Sequence, residues 1–297
     1  MLVPPRDLSV TALSEAVHAA FGIELGSLQY LPLGFGSHHW ADGKRWFLSV
    51  DPSSPELRSA LSLAVRARRL GFPVAPRLSL QGQPLAQIDE RFSVAVYPYV
   101  EGTAGRFSDT FDDDTATLIV GHLAQLHGLE TVGTRMAPFA RLPSPEELRV
   151  PDEGPFGGMV NVLIDSHVSA LRAAYEQLRA VEADHCVSTH GEPHPGNWLT
   201  TSRFGLRLVD WDTAGMAPPE RDIWLVARRT GLDAVGMYEE LTGRPLDHQL
   251  LRHYEVAWLY SDVVADVRDL SQAVVPDADT EWQLRSLRDV LANLASA

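Results

Sequence analysis

Residues 190–197 read His190-Gly191-Glu192-Pro193-His194-Pro195-Gly196-Asn197. This octet reads as a loop. Pro193 and Pro195 each fix φ near about −65° and remove a backbone donor. Gly191 and Gly196 open conformations closed to other residues. A strand-like run, Leu206-Arg207-Leu208-Val209, follows closely and ends on Asp210-Trp211-Asp212. The chain is thus committed to a rigid polar loop beside a strand end that carries a carboxylate. That pairing suits chemistry on a phosphate, because magnesium takes hard oxygen ligands and keeps several waters, so one Asp and one Asn suffice. On residues alone, a polar turn rich in Pro and Gly explains the octet too.

The order of patterns along the chain is strands first, helices second. Leu28–Leu33 leads into the glycine turn Gly34-Phe35-Gly36, then His38–Ala41, an Asp42-Gly43 turn and Trp46–Val50. Asp-Gly between two such runs is a hairpin signal. Pro55–Leu70 has helical spacing and stops at Gly71. Leu78–Leu85 and Phe92–Tyr97 read as two further strands, the first interrupted by a turn at Gln81-Gly82-Gln83. Beyond Glu101-Gly102 the pattern is helical, over Asp113–Leu129, residues 159–183, Asp247–Leu270 and Trp282–Leu294. The expectation is an α+β fold of two lobes, residues 1–98 and 99–297, with a cleft at their junction.

Composition narrows the partners. A net charge of −14 disfavours nucleic acid and anionic membranes, which bind clustered Lys and Arg, and suits cationic small molecules. An acidic surface that only keeps the chain in solution is the plainer explanation. No run approaches the roughly 18 apolar residues needed to span a bilayer. The start lacks the pattern of a secretory signal, and Cys186 is the sole cysteine, so it makes no intrachain disulfide. A cytoplasmic protein, monomer or homodimer, is the expectation.

The octet, Asp210 and the continuation Pro218-Pro219-Glu220-Arg221-Asp222 resemble the aminoglycoside phosphotransferase family, a branch of the protein-kinase-like enzymes. The resemblance runs from about residue 28 to about residue 270 on these motifs. It implies a protein-kinase-like two-lobe fold, with a small antiparallel sheet and one helix before a larger, mainly helical lobe. It implies ATP and Mg2+ as cofactors, and transfer of the γ-phosphate to a hydroxyl of a small molecule. Asn197 and Asp210 take the places of the metal ligands and Glu192 that of the carboxylate that accepts the hydroxyl proton. By the same resemblance Asp222 and His190 hold the catalytic loop in shape and His194 lies on the substrate side. Gly34, Gly36 and Ser37 fall in the hairpin that covers the phosphates, and the Pro98 carbonyl and Val100 amide where the adenine edge binds.

The chain departs from the family pattern in three places. Glu192 stands where the family has Asp, with the same charge and a reach longer by about one C–C bond. Ser49 falls where a strand Lys should meet the phosphates, and Ala60 where its Glu partner should be. Losing both leaves no buried charge unpaired. Lys44, Arg45 and Arg66 are the cations available to compensate. These departures keep open an alternative, a nucleotide- or ligand-binding pseudokinase with weak or no transfer. For the acceptor, Asp262 and Asp266 share a face of one predicted helix with Asp269 nearby. They form either a solvated acidic face or a site for a cationic aminoglycoside, aminocyclitol or amino sugar. Trp258 and Tyr260 either stack on that molecule or pack in the core.

Overall fold

The computed structural model describes residues 1–34, 36–130, 142–179 and 185–296. In chain order its elements are α1 (Val10–Phe21), β1 (Leu28–Leu31), β2 (His38–Asp42), β3 (Trp46–Pro52), α2 (Pro55–Ala67), β4 (Ala86–Gln87), β5 (Phe92–Pro98), β6 (Thr103–Ala104) and α3 (Asp113–His127). Then follow α4 (Gly157–Ser166), α5 (Val168–Arg179), β7 (Val187–Thr189), β8 (Trp198–Thr201), β9 (Gly205–Leu208), β10 (Gly215–Ala217), α6 (Glu220–Ala227), α7 (Ala234–Thr242), α8 (His248–Gln272) and α9 (Ala278–Ser296). The chain forms two compact units: Met1–Met136 with His185–Pro245, and Ala137–Asp184 with Leu246–Ala297.

In the first unit an antiparallel sheet runs in the order β1-β2-β3-β5-β4. Strand alternation divides its faces. Leu48, Val50, Val94 and Val96 turn to one face and meet Leu13, Val17 and Phe21 of α1 in a dry core. Phe47, Ser49 and Asp51 of β3, with Tyr97 of β5, turn to the other. Ser9 caps α1 through its side chain, and Gly22 ends it at φ 65°. The sequence reading passed over this helix, although the Ser9 and Gly22 punctuation and the Leu13/Val17/Phe21 spacing signal it.

Leu78–Leu85 is not a strand. The Ser79 amide donates to the Gln83 carbonyl at 2.8 Å, and the Ser79 hydroxyl accepts from the Gln81 and Gln83 amides. The segment therefore bonds to itself around Gly82, at φ 75°. Only Ala86–Gln87 reaches the sheet, against β5. Pro55–Ala67 is a helix capped by Ser54, and Gly71 closes the short turn after it at φ 87°.

In the second unit α8 packs along α9 and α5, and α4 packs on α8 and α9. The segment 159–183 is not one helix. It breaks at His167 between α4 and α5, and residues 180–183 lie outside the described residues, as does Phe35 of the glycine turn. Tyr260 is fully buried, and its hydroxyl donates to the Pro143 carbonyl at 2.7 Å. It belongs to the core rather than to a stacking surface. Asp266 is 6% exposed, and the Ser286 hydroxyl of α9 bonds its carboxyl. The open acidic face expected of α8 thus loses one of its members to a helix interface. Asp262 lies one turn earlier, half-buried. No helix among the described residues is long and apolar enough to cross a membrane.

Candidate active site

The β8–β9 hairpin sets the site. Its register pairs Trp198 with Leu208, and the Val209 amide donates to the Asn197 carbonyl at 3.0 Å. Asn197, just before one strand, and Asp210, just after the other, are therefore neighbours at one end of the hairpin. Asp210 has φ 64°, the one positive value among the described non-glycine residues. Asp tolerates this left-handed conformation better than most side chains, and such outliers gather at functional sites.

The octet is held on every side. Asp222, fully buried on α6, accepts the His190 amide at 2.8 Å and the Gly191 amide at 2.6 Å. It also meets His127 Nε2 of α3 at 3.0 Å. Burial opposes the charge on Asp222, but the His127 bond, with Arg221 and His190, outweighs it and lowers its pKa. His190 Nε2 lies 2.9 Å from the Val209 carbonyl, and its Nδ1 accepts from the Glu192 amide at 3.3 Å. These contacts assign a neutral ring with the proton on Nε2, in keeping with a pKa lowered to about 4 by burial. Gly191, at φ 103°, lies so close to the Arg221 guanidinium that a Cβ there would overlap it. Pro193 accepts from the Trp198 indole at 3.2 Å. The loop is a fixed frame.

Four carboxylates converge on this frame. Burial first, then Asp212, Glu192 and Asp51, raise the pKa of Asp210 well above the ordinary range. Asp210 nevertheless reaches solvent, so it lines a hollow and is not part of a core. Glu192 is pushed up to about 7 by burial and by Asp212, with Arg221 opposing. Asp51 rises to about 6 through burial and Asp212, restrained by Ser37 and Ser49. Asp212 is raised as well, chiefly by burial. Burial first, then the Asp51, Asp210 and Asp212 charges, raise the Tyr97 phenol well above its usual range, so it stays protonated. The cluster carries more negative charge than Arg221 alone balances, and a cation would relieve it.

The donors fit a hard divalent ion. Asn197 Nδ2 donates to the Glu192 carbonyl at 2.9 Å, which leaves Oδ1 available beside the Asp210 carboxylate. Among the described residues no group of three or more His, Cys, Asp or Glu has the spacing of a metal site, so a soft or all-protein cage is not what these residues form. An amide oxygen, a carboxylate and water suit magnesium.

The structure brings Glu192, Asn197 and Asp210 together with Ser37 and Ser49. Ser49 donates to Asp51 at 2.9 Å, and the Ser37 hydroxyl donates to its other carboxyl oxygen. A carboxylate clasped by two serines thus occupies the region where the resemblance implies a Lys. Ala60 is 2% exposed in the packed face of α2. Lys44 pairs with Glu101 at 2.7 Å and Arg45 with Asp42 at 2.5 Å, both cations at exposed positions. Half-buried Arg66 has no ion pair among the described residues. Gly34 and Gly36 have positive φ and an exposed backbone. By strand alternation the Pro98 carbonyl faces away from β3, on the side where the Val96 carbonyl accepts from Arg77 at 2.7 Å. Half-buried Val100 follows it. His194 accepts the Gly196 amide at 3.1 Å and packs edge-on against Phe107, and burial lowers its pKa to about 4. Asp51, Asp212, Arg221 and Tyr97 were not singled out from sequence as members of the site.

A phosphotransferase enzyme family model matches residues 37–261. Protein StrN of Streptomyces griseus is 26% identical, over 88% of this chain and 85% of its own. Among solved structures the fold matches a spectinomycin phosphotransferase bound to ADP and spectinomycin, with a TM-score of 0.71 at 15% identity over 98% of this chain and 99% of that one. It also matches the choline kinase LicA of Streptococcus pneumoniae, with a TM-score of 0.60 at 16% identity over 95% and 98%. A GDP complex of aminoglycoside 2'-phosphotransferase-IIIa matches equally well, at 0.60 and 14% identity over 96% and 99%. The fold is the kinase-like one that the octet implied, and the chain belongs to the phosphotransferase enzyme family.

Proposed function

We propose that the chain transfers the γ-phosphate of ATP to a hydroxyl of a small cationic molecule, an aminocyclitol, aminoglycoside or amino sugar, with magnesium. The observation that carries this reading is the junction of Asn197, Asp210 and Glu192 at one end of the β8–β9 hairpin. In the same reading residues 1–98 form the nucleotide lobe and 99–297 the catalytic and acceptor lobe. The likeness to enzymes crystallised with ADP and spectinomycin or with GDP supports a nucleotide and an amino-bearing acceptor.

Magnesium held by Asn197 Oδ1 and Asp210 would neutralise charge developing on the transferred phosphoryl oxygens. Glu192 accepts the proton of the attacking hydroxyl. Its pKa of about 7 lies near working pH, where a base combines availability with strength. Asp222 and His190 keep Glu192 in place, since the required precision is under about 1 Å. Gly34, Gly36 and Ser37 offer backbone amides to the phosphates, and the Pro98 carbonyl and Val100 amide take the adenine edge. His194 borders the acceptor. The excess of negative charge at the site favours a cationic acceptor over an anionic one.

The test is an ATP-consumption assay over hydroxylated amines, including spectinomycin, streptomycin and choline, with product mass confirming one added phosphate. Magnesium-dependent turnover that vanishes in Asp210→Ala supports the reading. Turnover that survives Asp210→Ala overturns it, and nucleotide binding without turnover of any amine would favour a binding protein.

A further inference from the structure

A second hollow, of about 410 Å³, lies between α3 and α7, and its wall includes Ala124, His127, Tyr238, Leu241 and Arg244. None of these residues belongs to the acid cluster. The volume is that of a small-molecule site. Leu241 is 59% exposed beside it, and Arg244 at its mouth is exposed, with no ion pair among the described residues. The chain otherwise carries a large excess of acid, with a net charge of −14, so Arg244 puts an exposed positive charge beside a hollow of mixed polar and apolar lining.

The floor of the hollow leads to the catalytic loop. Tyr238, fully buried, places its hydroxyl 2.8 Å from His127 Nδ1. His127 Nε2 lies 3.0 Å from Asp222, which holds the His190 and Gly191 amides. Asp222 accepts, so His127 donates from Nε2, and its Nδ1 shares a hydrogen bond with the Tyr238 hydroxyl. The Arg244 charge acts at the Tyr238 phenol, against the effect of burial. Each link is a buried bond, and Tyr238 and His127 have no other use in the proposed chemistry.

We infer that this hollow is an effector site for a small organic anion, with its charged head on Arg244 and its hydrocarbon body against Leu241 and Ala124. Its occupancy is felt at the catalytic loop through Tyr238, His127 and Asp222. Coupling of this kind is a differential free energy between two sites, and it changes turnover without any ligand contact at the reacting atoms. The inference rests on the catalytic loop of the proposed function, but the binding itself does not.

The experiment uses hexanoate, hexyl phosphate and neutral hexanol as probes, titrated calorimetrically into the full chain with saturating ATP analogue, so that the nucleotide site is closed to them. At least one of the two anions is expected to bind and hexanol not to, and the tighter anion identifies the head group. Arg244→Glu and Leu241→Glu, both at exposed positions, should each weaken the anion about tenfold or more through loss of a charge-assisted contact or apolar cover. Saturating anion should change kcat about fivefold with the nucleotide KM unmoved. Tyr238→Phe keeps the ring, so it should bind the anion and lose the effect on kcat. The inference is overturned if neither anion binds, if hexanol binds as well as they do, if binding survives Arg244→Glu, or if kcat does not respond. Anion binding in a protein that turns over no amine would leave the site standing and remove the proposed function.

Discussion

Asn197 Nδ2 donates to the Glu192 carbonyl at 2.9 Å, so one side chain braces the octet at the hairpin end where Asp210 follows the other strand. Asn197→Asp would break that brace. A carboxylate cannot donate to the carbonyl, and it adds a further negative charge to Glu192, Asp210, Asp212 and Asp51. Losing a bond to a positioned group at this site costs about 2–3 kcal/mol, or roughly 100-fold in kcat. Steady-state kinetics at saturating magnesium should show that loss in kcat, with the acceptor KM within about threefold. A variant that keeps more than about half the wild-type kcat would remove Asn197 from the chemistry.

The Glu192 carboxyl, raised to about 7 by burial and Asp212, predicts the pH profile. A base must be deprotonated, so kcat/KM should rise with pH and level off above about 7. Added magnesium places positive charge beside the cluster and favours the ionised form, so the midpoint should fall as magnesium rises. In Glu192→Gln no such limb remains, and transfer should drop by about 100-fold or more. Glu192→Asp is the finer comparison. If the loop is built for the longer side chain, Asp falls short and kcat drops; a gain would mean that Glu192 impairs the site. A profile that is flat from pH 5 to 9 would exclude Glu192 as the base.

Much of this site could be read from the chain because it is local. The octet's two prolines and two glycines specify a loop, and the strand run before Asp210 specifies a strand end, so Asn197 and Asp210 met as expected. The strand Trp46–Pro52 is short and well bounded, so the resemblance can be laid on it position by position, and it puts Ser49 where the family pattern has a Lys. Asp51 escaped notice although it lies two residues on, on the same strand face. Period-two alternation could have found it, but its weight comes from Asp212 and Ser37, which only the folded chain brings near. Arg221 was quoted as part of a motif, and its contact with Gly191 was not visible there. Leu78–Leu85 went wrong for a different reason. The turn at Gln81-Gly82-Gln83 is where the sequence puts it, but Ser79 bonds across it to Gln83, so the apolar residues on either side form no strand.

The Ser37–Asp51–Ser49 clasp makes a prediction about nucleotide affinity. Asp51, with a pKa near about 6 from burial and Asp212, is ionised at pH 8 and largely neutral at pH 5. Ionised, it repels phosphate. Asp51→Asn keeps one serine as donor to its amide oxygen, lets its NH2 donate to the other hydroxyl, and removes the charge. Without divalent metal, the variant should bind ADP about three- to tenfold more tightly than wild type at pH 8, the size of one partly screened charge. At pH 5 the two proteins should bind alike. Fluorescence titration with a labelled nucleotide measures both. Weaker ADP binding by the variant at pH 8 would mean that the carboxylate holds the nucleotide and does not repel it.

Asp222 predicts a stability effect centred on the loop. It is fully buried and accepts from the His190 and Gly191 amides and from His127. Asp222→Asn turns an NH2 toward one of these donors and removes the charge that their dipoles stabilise. Leaving buried donors without an acceptor should cost about 3 kcal/mol. Urea unfolding should show a lower midpoint with an unchanged slope. His190→Asn loses the contact to the Val209 carbonyl and should cost less, about 1 kcal/mol for one bond. Equal losses in the two variants would argue against Asp222 as the main anchor.

Asp266 offers the same kind of test in the second unit. Burial between α8 and α9 raises its carboxyl to about 7, with the Ser286 bond opposing and Asp269 adding to the rise. One of its oxygens has no hydrogen-bond partner. Its folded-state pKa lies above the unfolded value, so between those values the folded chain holds more protons than the unfolded one. Stability therefore falls as pH rises through that window, and the full penalty is present above about pH 7. Asn cannot ionise and keeps an acceptor for Ser286. Asp266→Asn should thus stabilise the protein at pH 8 by about 2 kcal/mol and at pH 5 by much less. Urea unfolding at the two pH values measures the difference. If the variant is instead destabilised more at pH 8 than at pH 5, the charged form of Asp266 is a favoured member of the fold, and a cation must be meeting it between the helices.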